Sequence, residues 1–300
     1  MIRFYTDHYF SIGHAHFVGG KPCQDYAASG VFGDSAFAIV SDGCSTGGKT
    51  DVGARVIALS TAEAIRRHFA LNAGKDAINE EALLKINLWQ KAVISGARNM
   101  LGLEAKDMLA TSFYACVTPE GGCINLQGDG VVAIKDLRGN IYMSRIEWSD
   151  NMPFYPAYAE SGLEGFIAAH GGDLKALKVK KEYVRRIRDG DELEAGHKEL
   201  SLKERVGGIS MFIDPVKLEH IEFIALFSDG ITQVDGMDWK DAVREFLAFK
   251  NITGEFAKRR MIRGIKDAQE SGKGPIDDIA YAVIRIGREE NSEEDGHDSC

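Results

Sequence analysis

The sequence predicts an α+β fold, in which antiparallel sheet is flanked by paired helices, and three observations lead there. Four short β-rich runs between residues 110 and 146 are separated only by turn signals. Apolar strand-like runs occur both before and after pairs of amphipathic helices, and no internal repeat is present. That order suits an α+β sandwich better than a repeating βαβ sheet.

Taken along the chain, residues 36–41 (AFAIVS) are a short apolar run expected to be a buried strand. From Asp51 to about Leu71, Val52, Val56, Leu59, Ala62, Ile65 and Phe69 recur at spacings of three or four, which predicts an amphipathic helix. A second helix is expected over about 80–101. The runs 110–117, 123–127, 131–135 and 141–146 follow, joined by PEGG, GDG and LRGN, and such short links predict an antiparallel meander. Residues 149–208 are the least legible: aromatic-proline text, HGGD and a basic cluster at Lys178 to Arg188 suggest an excursion over the surface. Residues 221–228 (IEFIALFS) are expected to be a core strand, 239–249 and 255–268 two helices, and 279–286 (IAYAVIRI) the last strand.

Composition narrows the function. With 44% hydrophobic and 27% charged residues and 6 Pro, the chain is a folded protein rather than a low-complexity one. The net charge is −9, of which the segment from Arg288 contributes −5, leaving a mildly acidic body of −4. A mildly acidic body argues against non-specific phosphate neutralisation, so nucleic acid is not an expected partner. Five cysteines without a C-x-x-C pair form neither a disulfide framework nor a zinc knuckle. The start, MIRFYTDHYF, is interrupted by Arg3, Asp7 and His8 and lacks the apolar region of a secretory signal. No apolar stretch approaches the roughly 18 residues of a membrane span. A cytoplasmic protein off the membrane is therefore expected.

The chemistry lies in the placing of aspartates. Asp42-Gly43 ends the strand at 36–41, Asp229-Gly230 ends that at 221–228, Asp277-Asp278 precedes the last strand, and Asp25 lies upstream in PCQD. Asp-Gly is also a favoured turn, as Asp129-Gly130 and Asp189-Gly190 illustrate. Carboxylates converging at the ends of buried strands would repel one another unless a cation neutralised them. An oxygen-only set suits Mg²⁺ or Mn²⁺.

Six segments carry a family likeness: HFVGGKPCQDY (16–26), AFAIVSDGCS (36–45) with DVGAR (51–55), ATSFYACV (110–117), QGDG (127–130), LFSDGITQV (226–234) and PIDDIAYAVI (275–284). In order and spacing the chain resembles the metal-dependent type 2C serine/threonine protein phosphatases, most nearly their bacterial branch, over about residues 10–286. The resemblance implies a four-layer α-β-β-α sandwich of two antiparallel sheets flanked by helices, with a binuclear metal site at one end. It implies a catalytic domain over 1–286, followed by an acidic tail, 287–300, without fixed structure. By position Asp25, Asp42, Asp229 and Asp277 match the metal aspartates, with Asp42 bridging and activating water, and Gly43 would add a backbone carbonyl. Asp278 takes a place usually held by Asn or Asp, and Asp129 matches a residue of a third, weaker metal site. Two Mg²⁺ or Mn²⁺ ions would then serve hydrolysis of phosphoserine and phosphothreonine in proteins, in signalling by a monomer opposite a cognate serine/threonine kinase.

Several positions depart from the family pattern. Gly20 stands where many members have a phosphate-binding arginine, which leaves His16 or Lys21 as phosphate contacts. Cys44 replaces a His or Met, and Gln233 stands where an extra metal aspartate often sits.

Three other readings compete. Residues 43–50, GCSTGGKT, match a phosphate-binding loop from Gly43 to Thr50 between strand and helix, although Asp42 would set a carboxylate at the mouth of an anion cradle. His14 and His16, two apart and on one face if in a strand, would serve a zinc hydrolase. A catalytically weak binding protein that keeps the phosphatase fold is the third.

Overall fold

The computed structural model describes residues 2–72, 77–148, 153–173, 178–186, 192–201, 208–270 and 274–288. Among the described residues the strands are β1 (Ile2–Ser11), β2 (Asp25–Phe32), β3 (Ser35–Asp42), β4 (Ser112–Thr118), β5 (Gly121–Gln127), β6 (Gly130–Asp136), β7 (Ile141–Trp148), β8 (Lys178–Arg186), β9 (Glu192–Ser201), β10 (Ile209–Ile213), β11 (Ile221–Phe227) and β12 (Ile279–Arg288). Helices α1 (His14–Val18), α2 (Thr50–Asn72), α3 (Glu80–Leu101), α4 (Pro156–Ser161), α5 (Leu163–Ala169), α6 (Pro215–Leu218), α7 (Trp239–Phe246) and α8 (Phe256–Glu270) alternate with them. The strands form a seven-stranded sheet, β1-β12-β11-β6-β7-β8-β9, and a five-stranded sheet, β10-β5-β4-β3-β2.

The period of two along a strand builds the layers. In β3, Ala36, Ala38 and Val40 face the other sheet, while Phe37 and Ile39 face α2 and α3. In β12, Ala280, Ala282, Ile284 and Ile286 face between the sheets, and Tyr281 and Val283 meet α7 and α8. Each sheet is thus buried on both faces, which gives the expected α-β-β-α sandwich and explains why these strands read as continuous apolar runs. Asn79 caps α3 by accepting the Ala82 N–H at 2.9 Å, and Gly102 in the left-handed region ends it.

Four expectations need correction. The meander over 110–146 is two hairpins in opposite sheets, β4-β5 and β6-β7, because the chain crosses between sheets at Gly128-Asp129. There Gly128 has φ 112° and packs its α-carbon against Thr111, a crossing that a side chain would block. His14 and His16 lie on α1 rather than on a strand, so two residues apart they point to different sides: His14 is exposed and His16 buried. The illegible stretch is not only a surface excursion. Phe154 and Phe166 join the core between the sheets, and β8-β9 extends the larger sheet. Finally, β12 runs to Arg288, two residues past the expected end of the last strand. Of the basic cluster, Arg185 lays its guanidinium over the Tyr142 ring at 5.0 Å. Arg188, Asp189-Gly190 and residues 289–300 of the expected acidic tail lie outside the described residues. Among the described residues no helix is long and apolar enough to cross a membrane.

Candidate active site and metal centre

The site forms where the two sheets end together. Antiparallel pairing of β2 with β3 sets Asp25 directly opposite Asp42. At the same end of the other sheet, Asp229 opens a 3₁₀ turn after β11, and Asp277-Asp278 lead into β12. Ser228 locks these two chain ends together: its N–H donates to the Ala280 carbonyl at 3.1 Å, and its Oγ accepts from the Ala280 N–H at 2.8 Å. Two glycines permit the close approach, since a Cβ on Gly230 would overlap the Asp278 carbonyl and one on Gly13 the Asp277 backbone. Asp129 stands in the crossing between the sheets.

Withdrawal from water raises the carboxyls of Asp25 and Asp42 well above the ordinary range, and their acidic neighbours, Asp278 and Asp229 among them, add to it. Asp42 interacts electrostatically with Asp25 on one side and Asp229 on the other, which makes it the middle member of the row. Burial is also the main cause of the rise at Asp229, and at Asp129, which burial and then Asp229 push up to about 7. Oδ2 of Asp25 is buried without a hydrogen-bond partner. A row of desolvated carboxylates with an orphaned oxygen is the donor set of a hard divalent cation. The residues therefore fit the implied metals.

Neighbouring groups are placed as follows. The Gly43 N–H donates to the Gln24 carbonyl at 3.1 Å, and a Cβ there would come within 2.7 Å of the Thr50 carbonyl oxygen. His16 Nδ1 lies 2.8 Å from Oδ2 of Asp278 and 3.9 Å from Oδ1 of Asp277. These three residues place one ligand atom each within 4.8 Å of one another. Lys21 is exposed on the loop after α1. Cys44 Sγ lies 3.2 Å from Thr46 Oγ1.

Sequence reasoning passed over two site residues, Tyr155 and Arg145, and read Gln233 only as a departure from the family pattern. Gln233 Nε2 spans Asp229 and Asp277, 3.3 Å from an oxygen of each. Tyr155, buried beside Asp129, Cys44 and Asp42, has its phenol pushed up by burial first and by these neighbours second. Arg145 lines a cavity with Asp129 and Asp229. Neither Tyr155 nor Arg145 carried a local signal: Tyr155 sat in unreadable aromatic-proline text, and Arg145 in an ordinary strand.

The sequence pattern of the family described as protein phosphatase 2C matches residues 12–156, a span that holds Asp25, Asp42 and Asp129. Over those residues the chain is similar to the protein phosphatase 2C family. The fold is similar to that of a bacterial serine phosphatase, at 13% identity and a TM-score of 0.53, covering 96% of this chain and 100% of that one. It is likewise similar to the serine/threonine phosphatase Stp1 from Staphylococcus aureus, at 12% identity and a TM-score of 0.52, covering 95% of this chain and 96% of that one. No curated protein matches in sequence.

The competing phosphate-loop reading finds no support in this 2C fold. Asp107 fills the loop from within: its Oδ1 accepts the Lys49 N–H at 2.8 Å, and the Gly48 N–H donates to the Lys106 carbonyl at 3.0 Å. The amides of Cys44, Gly47, Gly48 and Lys49, which a phosphate cradle would use, are already paired, and the Lys49 N–H bond is the first cause of the lowering of the Asp107 carboxyl. GGKT is a turn ahead of α2.

Proposed function

We propose that this metal-dependent protein phosphatase hydrolyses phosphoserine and phosphothreonine esters at the row of aspartates joining the two sheets. The observation that carries the reading is the cross-strand register of Asp25 with Asp42, with Asp229 reaching Asp42 from the other sheet. Asp25, Asp42 and the Gly43 carbonyl would hold one Mn²⁺ or Mg²⁺ ion, and Asp42, Asp229 and Asp277 the second; Asp129 is the candidate for a third. Bound there, the cations supply Lewis-acid polarisation of the ester and a lowered pKa for water. The chain's own part is positional. Asp42 keeps the two halves of the site in register, and Ser228 and Gln233 hold Asp229 and Asp277 at the same end of the sandwich. Residues 1–286 would be the catalytic domain, acting as a monomer on phosphoproteins made by a serine/threonine kinase.

The test is hydrolysis of p-nitrophenyl phosphate and of a phosphothreonine peptide. Activity should vanish with chelator and return with Mn²⁺. Full activity in EDTA, or restoration by zinc alone, would sink the reading.

A further inference from the structure

A site built of carboxylates repels a phosphate ester, so substrate binding calls for a positive group of the chain beside them. Neither side chain expected for this is placed for it. His16 is engaged with Asp278, and Lys21 stands exposed on its loop. On the flank of Asp229 lies a cavity of about 200 Å³, whose walls include Asp129, Asp229, Thr232, Gln233, Arg145 and Glu147. Its cation comes from β7. Arg145 pairs across the sheet with Val131, two residues beyond Asp129, and this register carries the guanidinium to the mouth of the sheet crossing. The guanidinium thus shares this cavity with both site carboxylates, Asp129 and Asp229. Glu147, two residues on and therefore on the same face of the strand, pairs with Nη2 of Arg145. A guanidinium presents five N–H donors in a fixed fork suited to phosphoryl oxygens, and one carboxylate does not use them all.

We propose that Arg145 is the phosphate-holding residue of this phosphatase, binding the phosphoryl oxygens of the substrate in the cavity beside Asp129 and Asp229. The assignment rests on the phosphatase reading above, and it adds the residue that receives the substrate. An arginine donated by the middle of a β-strand is held more rigidly than one on a loop, so both the charge and its direction are set before substrate arrives.

The experiment uses the full chain with Mn²⁺ and compares wild type, Arg145→Ala and Arg145→Lys. KM and kcat are measured on p-nitrophenyl phosphate, together with the inhibition constant of inorganic phosphate. Calorimetry then measures binding of Mn²⁺ alone and of inorganic phosphate to the Mn²⁺-loaded protein. Arg145→Ala should raise KM and weaken phosphate binding on the order of ten- to a hundred-fold, with Mn²⁺ affinity retained. Arg145→Lys, which keeps the charge and loses the fork, should lie between the two, and it carries the test if the alanine variant fails to fold. Unchanged KM and phosphate binding in either variant would overturn the assignment, as would a loss of Mn²⁺ affinity in place of phosphate affinity. A wild type without Mn²⁺-dependent hydrolysis would instead overturn the phosphatase reading, and the calorimetric phosphate titration would still report on Arg145 by itself.

Discussion

Asp278 and His16, 262 residues apart, meet with Oδ2 2.8 Å from Nδ1, and the same carboxylate accepts the N–H groups of Gly13 at 2.8 Å and Gln24 at 2.6 Å. One buried side chain thereby ties α1 and the approach to β2 onto the segment that leads into β12. Removing it leaves two backbone donors and an imidazole without their acceptor, so Asp278→Ala should cost about 2–5 kcal/mol in urea unfolding. Asp278→Asn keeps one acceptor oxygen and should cost less. Equal stability of the alanine variant and wild type would show that the junction does not hold the site together.

Asp42→Asn tests the middle of the aspartate row. Hydrolysis should be almost lost, and Mn²⁺ should raise the melting temperature of the variant much less than that of wild type, since a ligand stabilises only the state it binds. Without metal the variant should be at least as stable as wild type, because one repelling charge has gone. A metal-free variant markedly weaker than metal-free wild type would make Asp42 a turn residue.

The same repulsion sets a pH dependence. Asp25, Asp42, Asp129 and Asp229 all have folded-state pKa values above the ordinary carboxylate range, Asp129 at about 7. Between that ordinary range and the raised values the folded chain binds more protons than the unfolded one, so stability must fall as pH rises. Metal-free protein should therefore unfold at progressively lower urea from about pH 4 to pH 7, and saturating Mn²⁺ should flatten the slope. A metal-free midpoint that rises across this window would contradict the convergence of the carboxylates.

Lys49→Ala should leave Mn²⁺-dependent hydrolysis intact, since only the backbone N–H of Lys49 is used, by Asp107. Asp107→Ala removes the acceptor from the start of α2 and should cost about 1–2 kcal/mol, with no effect on nucleotide binding. The lowered pKa of Asp107 means its contribution is present above the ordinary carboxylate pKa and fades as pH falls through the folded value. Tight ATP binding by wild type that disappears in Lys49→Ala would restore the phosphate-loop reading.

How much of this was legible follows from the range of each interaction. Periodicity located α2, α3, α7, α8 and most of the buried strands, because a side chain's burial on a helix or strand repeats with local geometry. The aspartates at strand ends were visible for the same reason, and the family likeness supplied their order. β1 was missed because Arg3, Asp7 and His8 interrupt its apolar text, although pairing with β12 makes it a ten-residue strand.

The sequence by itself determined the α+β class, the long helices and which aspartates stand at strand ends, since each depends on residues a few places apart. Only the tertiary structure decided that β5 and β6 belong to different sheets, that Asp107 fills the GGKT loop, that His16 serves Asp278, and that Arg145 shares a cavity with Asp129 and Asp229. Local sequence dictates which way a side chain faces; what it meets there depends on pairing between segments far apart in the chain, where a buried polar group finds its partner by packing and not by spacing.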